Sequence, residues 1–109
     1  MATIGKTIQI RGDVTGAEDL VIEGRIEGVV EVRNHRVVIA SQGLVAGDLY
    51  AAYAQIEGRF TGNVFATEGA RLGESAAVDG SILSPRVAMA AGGVFNGSID
   101  TTEQIDTDS

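Results

Sequence analysis

A chain of 109 residues and 11.3 kDa with a formal charge of −7 has room for one domain with a modest core, and it lacks the broad basic face that binding to nucleic acid or anionic lipid demands. The absence of cysteine rules out a disulfide framework and any cysteine-based zinc or iron-sulfur centre. No apolar run approaches the length of a membrane span and no charged-then-apolar leader follows Met1, so a cytoplasmic location is expected.

The first organised stretch is Ile10-Arg11-Gly12-Asp13-Val14, which reads apolar, polar, glycine, polar, apolar. The same figure returns at Ile26-Glu27-Gly28-Val29-Val30, Val45-Ala46-Gly47-Asp48-Leu49, Phe60-Thr61-Gly62-Asn63-Val64, Val78-Asp79-Gly80-Ser81-Ile82 and Phe95-Asn96-Gly97-Ser98-Ile99. Of the positions two residues from each central glycine, all are apolar; of those directly beside it, all but Val29 and Ala46 are polar. Eight residues before the glycines stand Ile4, Leu20, Ile39, Ala54, Leu72 and Met89, again all apolar, and four before them Ile8, Gly24, Gly43, Gly58, Ala76 and Gly93, small after the first. Apolar side chains at even offsets are the period of strands that turn one face to a core, with glycine where the chain bends or a neighbour comes close. Helical spacing explains none of it.

Successive central glycines are 16, 19, 15, 18 and 17 residues apart, and the variation is expected at one corner, whose longest insert is Arg33-Asn34-His35-Arg36 and which elsewhere holds Pro85-Arg86. Surface corners that absorb insertions between stacked strands of fixed register are the behaviour of a solenoid. The fold expected is therefore all-β, a parallel β-helix of about six coils over residues 4–101, with residues 1–3 as a short N-terminal tip and 102–109 as a flexible acidic tail. Right-handed crossover is the general rule for parallel strands, and the irregular corner argues against the strict six-residue rhythm of left-handed helices. Neither a capping helix nor a polar cap repeat closes the ends, so other copies of the chain are expected to cover them.

At this point the sequence resembles the bactofilins, bacterial polymer-forming cytoskeletal proteins. The resemblance covers nearly the whole chain and rests on Asp19-Leu20-Val21-Ile22-Glu23-Gly24-Arg25-Ile26-Glu27-Gly28, on the repeated units, and on the closing Ala91-Gly92-Gly93-Val94-Phe95-Asn96-Gly97-Ser98-Ile99. It implies a right-handed helix of triangular cross-section that assembles without nucleotide into filaments, scaffolding cell-shape or wall-remodelling machinery at times near the membrane. It further implies a polymer interface of apolar residues in the terminal coils, here Ile4, Ile8 and Ile10 at one end and Val94, Phe95 and Ile99 at the other, and a non-polar filament in which the Phe95 face meets itself. Many members carry long proline-rich tails and a short apolar N-terminal tip that touches membrane; this chain has neither, which argues against direct membrane contact.

Chemistry-bearing residues are few. His35 is the only histidine, so one chain cannot assemble a three-histidine metal site; it is expected to be solvated, or to form with Arg33 and Arg36 a small basic contact for an acidic partner or lipid headgroup. Glu23, Glu27, Glu57, Asp79 and Asp100 fall on outward positions or corners and read as a solvated face rather than as paired catalytic carboxylates. No catalytic, metal or cofactor residue is assigned, and no enzyme activity is expected. The leading function is a self-assembling scaffold whose partners are its own copies and cell-wall or envelope proteins, with no direct nucleic-acid partner, located in the cytoplasm or held at the inner membrane face through those partners. The alternatives are a left-handed β-helix acyltransferase, which wants a catalytic histidine between subunits and a hexapeptide rhythm, and a β-solenoid binding module such as an adhesin or ice-binding protein, which wants an outward threonine array or an export signal.

Overall fold

The computed structural model describes residues 2–100. Nine strands follow one another: β1 (Ala2–Ile4), β2 (Gln9–Thr15), β3 (Leu20–Ile22), β4 (Arg25–Ile39), β5 (Leu44–Ile56), β6 (Arg59–Leu72), β7 (Ala77–Leu83), β8 (Val87–Met89) and β9 (Val94–Asp100). Every pairing among them is parallel, and the chain coils as a β-solenoid of six turns. β1 takes in Ala2 and Thr3, which the sequence pattern left in an N-terminal tip; residues 102–109, expected as a tail, lie outside the described residues.

The six central glycines form one column. Gly12 pairs with Gly28, Gly28 with Gly47, Gly47 with Gly62, Gly62 with Gly80 and Gly80 with Gly97. Each has a positive φ, between 126° and 142°, which turns the strand through a bend that an L-residue with a side chain resists. The residues two away on either side point inward and stack: Ile26, Val45, Phe60 and Val78 on one side and Val30, Leu49, Val64 and Ile82 on the other are buried almost completely. Alternation along a strand and stacking between turns thus produce a single apolar column through the middle of the solenoid.

A second stack of short strands completes each turn: β1 on β3, β3 and the last residues of β4, then of β5 and β6, then β8. Its inward columns are Ala2, Leu20, Val37, Ala54, Ala70, Val87 and Ile4, Ile22, Ile39, Ile56, Leu72, Met89. This corrects the sequence alignment at two rungs, because Ile22 and Ile56, not Leu20 and Ala54, stand over Ile4 and Ile39. The cause is a second variable corner. Four residues, such as Gly5-Lys6-Thr7-Ile8 or Ala40-Ser41-Gln42-Gly43, make the turn into four of the coils, while Glu23-Gly24 and Glu57-Gly58 make it alone in the other two. Part of the length variation expected at the Arg33–Arg36 corner is therefore taken up here; at that corner itself the register shifts between Val32 and Arg36, and Asn34 takes a positive φ of 69°.

The one buried polar side chain among the described residues is Ser84, which replaces an apolar residue in the inward column of Val32, Ala51 and Ala66. Its hydroxyl donates to the carbonyl of Arg86 at 3.1 Å, so the core holds no unsatisfied hydroxyl there.

Candidate assembly surfaces

The solenoid has two ends, and strand pairing decides what each exposes. At the C-terminal end β9 pairs only with β7, and β8 only with β6. The inward columns run out here, leaving Ile99 at 45%, Met89 at 52% and Val94 at 52% of full exposure. Phe95 stands over Val78 in the column that contains the wholly buried Phe60; with no rung above it, it is half-buried and packs on the core from one side. Met89 was the residue of this end that the sequence argument left out of the interface, although its position in an apolar column was already visible.

At the N-terminal end β2 pairs only with β4, and β1 only with β3. Ile4 is buried, Ile10 is half-buried, and Ile8 is 43% exposed. Ile8 occupies the column of Gly24, Gly43, Gly58, Ala76 and Gly93, in which each carbonyl accepts from the amide that opens the next rung, as Ile8 does from Arg25 and Gly24 from Leu44. A Cβ at Gly24 would strike the carbonyls of Gly5 and Ile8 one turn below. No turn lies below Ile8, and the same direction there leads off the end of the solenoid.

The lateral surface is different in kind. Arg33 pairs with Glu31 at 2.6 Å and sets its guanidinium 4.8 Å from the centre of the Tyr50 ring, which in turn stacks on Phe65 at 4.8 Å. Arg36 lies over Tyr53 at 5.2 Å, its backbone amide donates to Asp19 Oδ1, and His35 Nδ1 lies 3.7 Å from the same carboxylate oxygen. His35 is thus half-buried beside an acid rather than simply solvated, and the three-residue basic patch carries its own counter-charges. Outward polar ladders continue elsewhere, with Asn63 donating to Asp48 and Ser81 to Asn63. Among the described residues no group of three histidine, cysteine, aspartate or glutamate side chains is placed to hold a metal ion.

Comparison with known proteins meets this geometry. The family model described as "Bactofilin: Polymer-forming cytoskeletal" matches residues 2–100, which is the whole described solenoid. The chain belongs to the bactofilin family. It is 37% identical to Bactofilin BacO of Myxococcus xanthus (strain DK1622) over 97 residues, 89% of this chain and 76% of that protein. To Bactofilin BacP of the same organism it is 33% identical over 97 residues, and to Bactofilin BacN 52% over 48 residues. It spans 40% of the length of BacP, and the BacN match covers 44% of this chain and 42% of that protein. No solved structure matches. Within a polymer-forming family, the exposed apolar ends become the first candidate for the surface of self-association, since they continue the packing that joins one bactofilin coil to the next.

Proposed function

We propose that this bactofilin is the subunit of a filament that grows through both ends of the solenoid without nucleotide and serves as a scaffold for cell-wall or envelope proteins, with no catalytic role. One observation carries the proposal: the C-terminal coil exposes Val94, Ile99 and Met89 beside a half-buried Phe95, all on a strand edge without a partner among the described residues. Unpaired edges and open apolar columns in a monomer favour association, and contacts at two ends allow growth without limit. The test is negative-stain electron microscopy of the purified chain with no nucleotide added: filaments are expected, and discrete particles that do not lengthen with concentration refute the scaffold.

Joining like end to like end is the arrangement we propose for the filament. Ile8 supports it, because a side chain in a column otherwise kept small, in which a Cβ at Gly24 strikes the backbone below, obstructs a seamless head-to-tail continuation of the ladder. The filament is proposed to lie in the cytoplasm; no helix among the described residues is long and apolar enough to cross a membrane.

A second surface, the Arg33–His35–Arg36 corner, is proposed to receive an acidic partner. Its ion pairs are exposed, so they contribute little to the fold. The double variant Arg33→Ala, Arg36→Ala is expected to lower stability by about 1 kcal/mol or less and to leave filaments unchanged. Thermal melts and micrographs check this; loss of filaments would place the corner in the polymer contact instead.

A further inference from the structure

The glycine column ends at Gly12, and its last member differs from the others in one respect. A Cβ built on Gly28, Gly47, Gly62, Gly80 or Gly97 collides with the carbonyl oxygen of the glycine one turn toward the N-terminus. Gly12 has the same backbone conformation, with φ of +126°, and pairs in register with Gly28, yet a Cβ built on it meets nothing within 4 Å. The direction that leads into a neighbouring backbone at the other positions leads, at Gly12, straight off the N-terminal end along the stacking axis. We propose that Gly12 is the seat of a second copy of this chain: the open Cβ position of the first rung is where the backbone of the next subunit comes to rest.

A second copy is the occupant because β2 offers what an inner rung offers. Its inward Ile10 and Val14 are half-buried and packed on the core from one side, and its flanking Arg11 and Asp13 are exposed and leave the glycine bare. Another solenoid end supplies both a strand edge and an apolar column, whereas an unrelated strand supplies only the first. The seat does not depend on the orientation of the partner. A methyl group aimed along the stacking axis intrudes on any backbone that approaches to hydrogen-bonding distance, about 4.8 Å between strands, whether that strand runs parallel or antiparallel. The positive φ explains why glycine is tolerated at position 12, but it predicts only a local strain on substitution; the seat predicts a specific loss of assembly. The inference rests on end-to-end growth.

The experiment compares the full wild-type chain with Gly12→Ala by sedimentation velocity, electron microscopy and far-ultraviolet circular dichroism. The variant is expected to keep its β-sheet signal and to melt within about 10 °C of the wild type, because only the first rung is strained. It is expected to remain as monomers, or as dimers made through the C-terminal end, at concentrations where the wild type forms filaments, with joining through the N-terminal end weakened by roughly 100-fold or more. Wild-type filaments together with equally long Gly12→Ala filaments overturn the seat and leave end-to-end growth standing. A wild-type chain that forms no filaments removes both. Should the variant fold poorly, amide hydrogen exchange in the wild type decides: the amides of Arg11 to Val14 are expected to exchange at least about tenfold more slowly in filaments than in dilute single molecules, and equal rates overturn the proposal.

Discussion

Gly62→Ala is expected to unfold most of the molecule at growth temperatures, lowering stability on the order of 4 kcal/mol. Two costs add. The φ of +128° at Gly62 belongs to backbone that a side chain makes unfavourable by about 1–3 kcal/mol. The new Cβ also collides with the carbonyl oxygen of Gly47, so the two rungs must separate, and forcing volume into a close-packed interior costs about 1–3 kcal/mol. Relief by a local shift is difficult, because the strands on either side are tied to their neighbours along their whole length: β5 pairs with β6 from Leu44 to Ala51 and β6 with β7 from Arg59 to Phe65. Domains of this size have only about 5–15 kcal/mol of stability in total. A urea titration followed by circular dichroism measures the loss; a midpoint within a few tenths molar of the wild type would mean that the ladder flexes as the stacked register does not allow. Set beside Gly12→Ala, the same chemical change at the two positions separates what a glycine does for the fold from what it does for assembly.

Much of this architecture was legible in the chain because glycine and apolar residues recur at offsets that physical chemistry constrains twice, once by backbone conformation and once by burial. The central column, Gly12 to Gly97, and the inward residues beside it could be named before any coordinates. The second face was harder. Leu20 and Ile22 are both apolar and both point inward, so a slide of two residues changes no side chain from inside to outside, and the pattern alone could not place Ile22 over Ile4. Only pairing across turns reveals that Glu23-Gly24 does the work of a four-residue corner. The basic corner was misjudged for another reason: Arg33 and Arg36 read as free cations because their partners, Glu31 and Asp19, belong to a strand neighbour and to the preceding coil, and because Tyr50 and Tyr53 arrive beneath them from the next coil. Charge pairing between coils leaves no mark on local sequence. The ends were legible only as an absence of caps; which residues stand open there, Met89 and Ile8 included, depended on where each column stops.

Phe95→Arg is expected to abolish filaments while leaving the middle coils folded. In a single molecule the change is mild, since Phe95 packs on the core from one side and lies one rung from the end; an arginine there can extend its stem over Val78 and keep its guanidinium in water. In a junction that route is closed. The partner covers the end, the charge is buried without a counter-ion, and the cost is several kcal/mol per arginine. Where like ends meet, two such charges face one another across the two-fold axis and the penalty is at least doubled. Each 1.4 kcal/mol is tenfold in association, so about 4 kcal/mol per joint weakens it by roughly three orders of magnitude, enough to stop growth at micromolar protein. The control is Phe95→Leu, which keeps the apolar surface and is expected to polymerise. Sedimentation velocity and microscopy on both variants, with circular dichroism to show that each retains its β-sheet, decide the matter: long Phe95→Arg filaments would remove the C-terminal face from the junction, while short species made of two subunits would show that the joint through the opposite end survives alone.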